Sequence, residues 1–222
     1  VVVPRKAIVE AMARVFPDDT AVNPRGGRYL VPATIAVDVA RFGEDSTVIY
    51  ERRGNTARRL WRAHGRDTMA VAGKVGQLCK ADPSIQVVVV DDTGVGGGVP
   101  DRLREEQNAP LSPMRPVRIV AFNGGERAKR DERYFNAITE AWMELALAFR
   151  DGKMALDDNR AVLGQLASRR YAIQGDRRIR LEGKDEYKKR AGASPDDADA
   201  LAMCWTPLVR RGPSQLLRMV EA

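Results

Sequence analysis

Residues 33–63 read ATIAVDVARFGEDSTVIYERRGNTARRLWRA, and this stretch decides the fold class. Ile35, Val37 and Val39 alternate with alanine and aspartate, a period of two that is typical of a β-strand. The turn RFGED separates this run from STVIYERR, and the turn GN separates STVIYERR from ARRLWRA. The pattern therefore predicts three successive strands in an antiparallel meander.

A second decisive stretch is VVVVDDTGVGGGVPDRL, residues 87–103. Its β-branched apolar start predicts a strand that is buried on both faces, and Pro100 is predicted to be the first residue of the following helix. Asp67 or Thr68 is placed to cap a helix that precedes this strand, and PVRIVAF (116–122) predicts another strand.

The rest of the chain adds helices and one hairpin. ERYFNAITEAWMELALAF (132–149) has helical spacing, and a shorter helix is predicted around Val162 and Leu166. A hairpin is predicted to turn at Gly175-Asp176, KDEYKKRAGA (184–193) to be a charged loop, and SPDDADALAMCWTPLV (194–209) to be the last helix. The fold class is therefore α/β, with a mixed central sheet of a three-strand antiparallel meander plus parallel strands, flanked by helices.

Residues 1–32 differ from the rest in pattern. Residues 4–15 fit a short amphipathic helix, and residues 16–32, FPDDTAVNPRGGRYLVP, are typical of a loop. The chain begins abruptly, so we expect a piece of a larger protein, with a leading segment (1–32), a main domain (33–210) and a C-terminal tail (211–222).

Composition narrows the function classes. A net charge of +7 and a pI near 9.7 favour a polyanionic partner, nucleic acid before membrane. His64 is the only histidine, which excludes His-rich zinc sites and HNH-type nuclease centres. Cys79 and Cys204 are predicted to be buried thiols in a reducing compartment. No apolar run approaches the ~20 residues of a membrane span, so a cytosolic protein is the default.

Several aspartates lie at positions where burial of an ionised carboxylate would cost free energy. Asp38 lies mid-strand beside the small residues Ala36 and Ala40, and burial of an ionised carboxylate needs a compensating cation or donors. Asp91 lies where the buried strand ends, the edge at which open α/β sheets place their chemistry. Asp92 points to the opposite face and is predicted to brace the following loop. Ordinary turn-starting or hydrogen-bonded aspartates remain the alternative for all of them.

The last helix adds a pair of carboxylates. Ser194 is predicted to cap this helix and Pro195 to be its first residue. Asp196 and Asp199 are three residues apart, so they project from one side of the helix. Together with Asp38 and Asp91 they would form an all-oxygen site, which favours Mg²⁺ or Mn²⁺ over zinc and can hold two ions.

Three segments in this order, AVDVARFGEDSTVI, VVVVDDTGVGGGVPDRL and SPDDADALAM, resemble the nuclease domain of tailed-bacteriophage terminase large subunits, in the RNase H/RuvC-like superfamily. The resemblance implies an RNase H-like fold over roughly residues 33–207 and a two-metal-ion endonuclease that cuts concatemeric viral DNA at the start and end of packaging. It assigns Asp38, Asp91, Asp196 and Asp199 as catalytic metal ligands, with Asp197 as an uncertain substitute.

The resemblance also implies partners. These are double-stranded DNA, a packaging ATPase domain in the full-length protein, the portal and the small terminase subunit, all in the host cytoplasm. No G-x-x-x-x-G-K-[ST] motif occurs in this sequence, so we expect a nuclease domain that does not translocate DNA.

Basic residues form three clusters: the first before the long helix, the second on the hairpin and the third before the last acidic motif. The third is our preferred DNA contact because it adjoins the proposed metal site, although a solvated face is the alternative for each cluster. The clusters are Arg127, Lys129, Arg130 and Arg133; Arg169, Arg170, Arg177, Arg178 and Arg180; Lys184, Lys188, Lys189 and Arg190.

Three other functions stay open at this point. SPDDADALAM also resembles the closing motif of RuvC-type resolvases, which predicts a preference for four-way DNA junctions. An actin-like or sugar-kinase-like nucleotide-binding domain predicts ATP affinity without cleavage. A structural DNA-binding module with inert aspartates predicts metal-independent DNA binding.

Overall fold

The computed structural model describes residues 1–16, 20–22, 28–40, 45–93 and 97–208, and of residues 20–22 and 28–29 it describes only the backbone. The predicted C-terminal tail (211–222), most of the RFGED turn and three residues of the glycine-rich loop (94–96) lie outside the described residues.

The strands of the described residues form one large sheet and two short antiparallel pairs. They are β1 (Thr20–Val22), β2 (Arg28–Leu30), β3 (Ala33–Asp38), β4 (Ser46–Arg53), β5 (Thr56–His64), β6 (Ile85–Asp91), β7 (Arg118–Phe122), β8 (Ala155–Leu156), β9 (Tyr171–Ile173) and β10 (Ile179–Leu181).

The large sheet has six strands in the order β7-β6-β3-β4-β5-β8. β3, β4 and β5 are antiparallel neighbours, whereas β6 is parallel to β3, β7 is parallel to β6 and β8 is parallel to β5. The predicted meander and the mixed sheet are therefore confirmed. The short strands β1–β2 and β9–β10 pair antiparallel outside this sheet.

Helices cover both faces of the large sheet. They are α1 (Arg5–Met12), α2 (Thr68–Ala81), α3 (Gly98–Asn108), α4 (Ala137–Arg150), α5 (Arg160–Ser168), α6 (Lys184–Ala191) and α7 (Asp196–Met203).

The two faces bury separate apolar cores. Ile35 and Val37 of β3 pack with residues of α2 and α3, whereas Ala36 packs with residues of α1, α4, α5 and α7. Successive side chains of a strand point to opposite faces, so Asp38 shares the face of Ala36. The sheet thus directs the Asp38 carboxylate toward the layer that contains α4 and α7.

Local signals explain most of the element boundaries. The GN turn between β4 and β5 has Gly54 at φ +56°, a conformation that glycine adopts without a steric penalty. Asp67 caps α2 by accepting a hydrogen bond from the amide of Ala70 at 2.7 Å, as one of the two predicted caps. The hairpin that was predicted at Gly175-Asp176 is β9–β10.

One predicted loop is a helix. KDEYKKRAGA forms α6, which ends at Gly192 with φ +81°. Asp185 and Glu186 lie in the first turn of α6, and its last turn contains three basic residues, an order that interacts favourably with the helix dipole. The prediction was wrong because it took charge density alone as a sign of an irregular segment.

Other boundaries also differ from prediction. α3 begins at Gly98, so Pro100 is its third residue. α4 begins only after Asn136, whose side chain accepts a hydrogen bond from Thr139 N, and Phe135 therefore precedes the helix. Residues 16–32 were predicted to be loop but contain β1 and β2. β8, a two-residue strand, has no periodicity that a sequence pattern can detect.

The N-terminal residues share a core with the main body of the chain. Val3, Ile8 and Ala11 are fully buried, and the amide of Val2 donates a hydrogen bond to the carbonyl oxygen of Arg169 at 2.9 Å. The division at residue 32 and the link to an ATPase domain stay predictions.

Both cysteines are buried free thiols, as predicted, and burial raises the pKa of Cys79 and of Cys204 to about 12. Among the described residues, no helix combines the length and the apolar composition that a bilayer crossing requires.

Candidate active site

The ends of two parallel strands place the first two predicted ligands at one edge of the sheet. Asp38 is the last residue of β3, and not mid-strand as predicted, because β3 ends before Val39. Asp91 is the last residue of β6, as predicted, and the register pairs Val37 with Val90. The Asp91 Oδ1 accepts a hydrogen bond from the amide of Thr93 at 3.0 Å. Asp38 is only 2% exposed, so its carboxylate needs a compensating partner.

A cavity of about 470 Å³ opens at this edge of the sheet. Asp38, Asp91 and Asp199 all line it, together with Lys184 and Arg169. The structure therefore brings β3, β6 and α7, which are far apart in sequence, to one space.

The start of α7 differs from its predicted capping. Pro195 occupies the cap position, and Ser194 makes no capping hydrogen bond. The Ser194 hydroxyl is buried without a hydrogen-bond partner. The amide of Ala198 instead receives its partner from α5, whose Gln165 Oε1 accepts at 2.9 Å.

The two predicted ligands of α7 share a common arrangement. Asp196 Oδ2 accepts a hydrogen bond from the backbone amide of Ser46 at 2.9 Å, and its Oδ1 lies 3.3 Å from Lys184 Nζ. Asp199 Oδ1 accepts a hydrogen bond from Trp142 Nε1 at 2.8 Å, and its Oδ2 lies 3.9 Å from Lys184 Nζ. In each carboxylate one oxygen is anchored to the protein and the other faces the same ammonium group.

The Lys184 ammonium group lies among the carboxylates. Its Nζ is 3.1 Å from Asp38 Oδ2, in addition to its contacts with Asp196 and Asp199. Burial lowers the pKa of Lys184, but the three carboxylates outweigh burial and raise it above its ordinary value. Lys184 therefore stays protonated and is the cation that balances this cluster.

The neighbouring carboxylates affect the pKa of Asp38 in particular. Burial raises the pKa of Asp38, the charge of Lys184 lowers it, and the charges of Asp199, Asp196 and Asp91 raise it, with a net result well above the ordinary value. A cation with more charge than an ammonium group would relieve this repulsion further.

The donors fit a hard divalent cation in their chemistry, since all are carboxylate oxygens. In the described parts of the chain, however, no three His, Cys, Asp or Glu side chains stand close enough together to hold a metal ion as they are. The Lys184 ammonium group lies between three of these carboxylates, at 3.1 to 3.9 Å from them.

Asp197, which the family resemblance offered as an alternative metal ligand, contacts β5 and not Lys184. It is 0% exposed, and its two oxygens accept hydrogen bonds from Arg59 Nη1 at 2.9 Å and Arg62 Nη1 at 3.0 Å. Asn159 Nδ2 lies 3.4 Å from its Oδ1. Asp197 thus connects the start of α7 to β5 and has its oxygens saturated by protein donors.

The four predicted DNA-contact residues occupy different environments. Lys184 lies among the carboxylates, Lys188 bonds Asp45 at 2.7 Å, and Arg190 pairs with Glu182 at 2.7 Å. Lys189 is exposed.

Two residues of the other basic clusters are buried and do not form a solvated face. Arg130 is 6% exposed and pairs with Glu140 and Glu144 of α4. Arg169 is 2% exposed and lies with its guanidinium over the rings of Trp142 and Tyr187, at 5.4 and 5.1 Å from their centroids.

The described end of the glycine-rich loop has a close contact. A Cβ atom at Gly97 would lie 2.9 Å from Asp92 Oδ1, so only glycine fits there without a shift. This contact agrees with the predicted role of Asp92 as a support for the loop.

The sequence interpretation did not identify the side chains that hold the predicted ligands. Trp142 was placed in the core by its helical spacing, correctly, but nothing in that spacing indicates that its N–H meets a residue 57 positions away. Arg59 and Arg62 lie in a strand with three arginines in five residues, a pattern that does not indicate which carboxylate they pair with.

No family model matches the chain, and no curated protein matches it. Among solved structures, the nuclease domain of the large terminase subunit gp2 of bacterial virus Sf6 superposes with a TM-score of 0.74, at 17% identity, over 94% of this chain and 100% of that chain. A mutant of the same Sf6 domain with manganese gives a TM-score of 0.73 at 16% identity, over 93% of this chain and 99% of that one.

A third similar structure is the large terminase nuclease of thermophilic phage G20c with bound magnesium, at a TM-score of 0.56 and 15% identity, over 87% of this chain and 85% of that chain. At these identities the likeness shows the fold. The predicted RNase H-like fold, and the resemblance to terminase nuclease domains at the level of the fold, are confirmed.

Proposed function

We propose that this chain is a metal-dependent endonuclease that cuts double-stranded DNA with little sequence specificity, as the nuclease domain of a phage terminase large subunit. In that role it cleaves concatemeric viral DNA at the start and at the end of genome packaging. One observation carries the proposal: carboxylates of β3 and α7 converge on a single cation position, formed by Asp38, Asp196 and Asp199 around Lys184 Nζ.

Asp38, Asp91, Asp196 and Asp199 are the residues that would hold two Mg²⁺ or Mn²⁺ ions. The carboxylate donor set supports these hard cations, and so do the manganese and magnesium of the Sf6 and G20c structures. Two such ions, when bound, activate a water molecule and stabilise the leaving oxygen of a phosphodiester. Burial of Asp38 and Asp199 keeps their oxygens in a low-dielectric setting, where their attraction for a cation is strong.

The basic surface beside the cavity supports a DNA substrate. Lys188 and Arg180 line the cavity, and Lys189 and Arg190 continue the positive charge along α6. Contacts of this kind bind phosphates and carry no base information, which supports cutting with little sequence specificity. DNA affinity should therefore fall steeply as salt concentration rises.

The wider context belongs to the same proposal. Residues 1–32 would lead from a packaging ATPase domain, residues 33–210 would be the nuclease, and residues 211–222 a tail. The full-length protein would work with the portal and the small terminase subunit in the host cytoplasm.

The direct test incubates the protein with supercoiled plasmid and Mg²⁺ or Mn²⁺, beside Asp38→Asn and, as a matched control, Asp101→Asn on the exposed face of α3. We expect nicked and linear DNA with the wild type and with Asp101→Asn, and none with Asp38→Asn. No cutting by the wild type with either ion would overturn the proposal, and so would equal cutting by Asp38→Asn.

The substrate is tested in the same assay with a four-way junction and a linear duplex of equal length. A packaging nuclease should cut both at similar rates. A strong preference for the junction would replace the proposal with a RuvC-like resolvase, and ATP binding without any cleavage would replace it with a nucleotide-binding domain.

A further inference from the structure

Asp199 has two oxygens with different surroundings. Its Oδ1 accepts the Trp142 Nε1–H at 2.8 Å, whereas its Oδ2 points toward the Lys184 ammonium group at 3.9 Å. The hydrogen bond is buried and joins α4 to α7. A buried hydrogen bond to a charged oxygen is both short and strong, so it fixes the rotation of the carboxylate.

Trp142 is itself enclosed by the protein. It is fully buried in the middle of α4, and the guanidinium of Arg169 lies over its ring, 5.4 Å from the centroid. The Arg169 Nη2 is also 3.9 Å from Asp199 Oδ1. The indole N–H and the arginine therefore both lie nearest to Asp199 Oδ1, whereas the Lys184 ammonium group lies nearest to Oδ2.

Asp196 repeats this arrangement with a backbone donor. The amide of Ser46 holds its Oδ2, and its Oδ1 faces Lys184 Nζ. Because the Ser46 donor is a main-chain amide in β4, no side-chain substitution removes it. Of the two donors, the Trp142 indole and the Ser46 amide, only the indole can be removed by a side-chain substitution.

We propose that Trp142 is a positioning residue of the metal centre: its indole N–H holds Asp199 Oδ1 so that Oδ2 is presented to the cation. This inference rests on the proposed function, because Trp142 has this role only if Asp199 binds the proposed metal ion. A carboxylate ligand typically has one oxygen on the metal and the other on a hydrogen-bond partner in the protein. Removal of that partner typically weakens metal binding by about 10- to 100-fold.

The matched experiment is Trp142→Phe beside Trp205→Phe. Phenylalanine keeps an aromatic ring for Arg169 but has no N–H donor. Trp205 is also buried and also has an arginine over its ring, Arg52 at 4.4 Å, and it follows the opposite end of α7. Mn²⁺ affinity is measured by calorimetry on each purified protein, and the melting temperature is measured without metal.

We expect Mn²⁺ binding to weaken about 10-fold or more in Trp142→Phe and to stay within twofold of wild type in Trp205→Phe. Unchanged Mn²⁺ affinity in a folded Trp142→Phe would overturn the inference while leaving the proposed function intact. Absence of Mn²⁺ binding by the wild type would instead remove the proposed function. Equal weakening in both variants would assign the effect to general loss of packing and would also overturn the inference.

A second measurement does not depend on how Trp142→Phe folds. The chain has three tryptophans, and the indole N–H of each gives its own cross-peak in proton–nitrogen-15 correlation spectra, apart from the backbone amides. The Trp142 signal should shift when Asp199 is changed to alanine, while the signals of Trp61 and Trp205 should not. A Trp142 signal that is indifferent to Asp199→Ala would refute the hydrogen bond on which the inference depends.

Discussion

Two sides of the first turn of α7 carry the same residue type and have opposite roles. Asp196 and Asp199 face a single ammonium group in the cavity, and each keeps one oxygen directed toward it. Asp197 lies between them in sequence, yet two arginines of β5 occupy its oxygens. The partner element, rather than the carboxylate itself, therefore decides which aspartate faces Lys184 and which is held by arginines.

The difference has a physical cause in helix geometry. Residues three apart lie on one side of a helix, whereas the residue after the first is turned by about 100°. Asp197 thus meets β5 on the sheet side, where a buried carboxylate persists only with paired donors. Asp196 and Asp199 instead meet Lys184, whose ammonium group compensates their charge.

The largest expected effect is on DNA cutting, which should depend on Asp199 and not on Asp197. Asp199→Asn should abolish Mn²⁺-dependent plasmid cutting, because the amide does not replace a charged ligand, and should change the free energy of unfolding without metal by less than about 1 kcal/mol. Asp197→Asn should retain cutting. Plasmid assays and urea unfolding of both variants check this, and loss of cutting only in Asp197→Asn would reverse the assignment.

The next effect is on stability. Asp197→Ala should lower the free energy of unfolding by about 3 kcal/mol, because it removes the buried partner of Arg59 and Arg62. The control is Asp101→Ala, whose exposed pair with Arg104 should contribute about 0.5 kcal/mol or less. A cost for Asp197→Ala as small as that of the control would show that Asp197 is no anchor.

A smaller effect concerns the cavity cation. Lys184→Met should destabilise the metal-free protein by about 1 kcal/mol, since it leaves the carboxylates uncompensated, and saturating Mn²⁺ should restore the loss. Lys189→Met, in the same helix but exposed, should show neither effect. Thermal unfolding with and without Mn²⁺ checks this, and a loss that Mn²⁺ does not restore would make Lys184 a purely structural residue.

The smallest expected effect is a pH dependence. Because burial and neighbouring carboxylates raise the pKa of Asp38 in the folded chain, its contribution to stability is present below the unfolded pKa and is lost as pH rises through the folded value. Asp38→Asn has no such titration. The melting temperature of metal-free Asp38→Asn relative to wild type should therefore rise as the pH is increased above pH 4. A relative fall over that range would contradict the pKa direction.

Sequence reasoning predicted those parts of the site that depend on local periodicity. Strand alternation placed Asp38 in the first strand of the meander, although in its middle rather than at its end, and the end of the buried apolar run placed Asp91 at a strand end. The spacing of three placed Asp196 and Asp199 on one side of a helix. The meander and the buried strand β6 followed from the same kind of pattern.

The rest depends on contacts between distant segments. Lys184 was predicted to touch DNA from a loop, but it lies in α6 with its Nζ at the centre of the carboxylates. The anchors Trp142 and Ser46 lie 57 and 150 positions from the carboxylates they hold. No local periodicity encodes such pairs, and the same holds for the ion pairs of Asp197 with Arg59 and Arg62.

The central claim is that Asp38, Asp91, Asp196 and Asp199 form a divalent metal centre and that Asp197 does not belong to it. Its most direct test is the anomalous difference density of a crystal soaked in Mn²⁺. We expect peaks within coordination distance of Asp38 and Asp199, with Lys184 displaced from its present position and Asp197 still bonded to Arg59 and Arg62. A fully soaked crystal with no peak in this cavity, or with a peak ligated by Asp197, would contradict it.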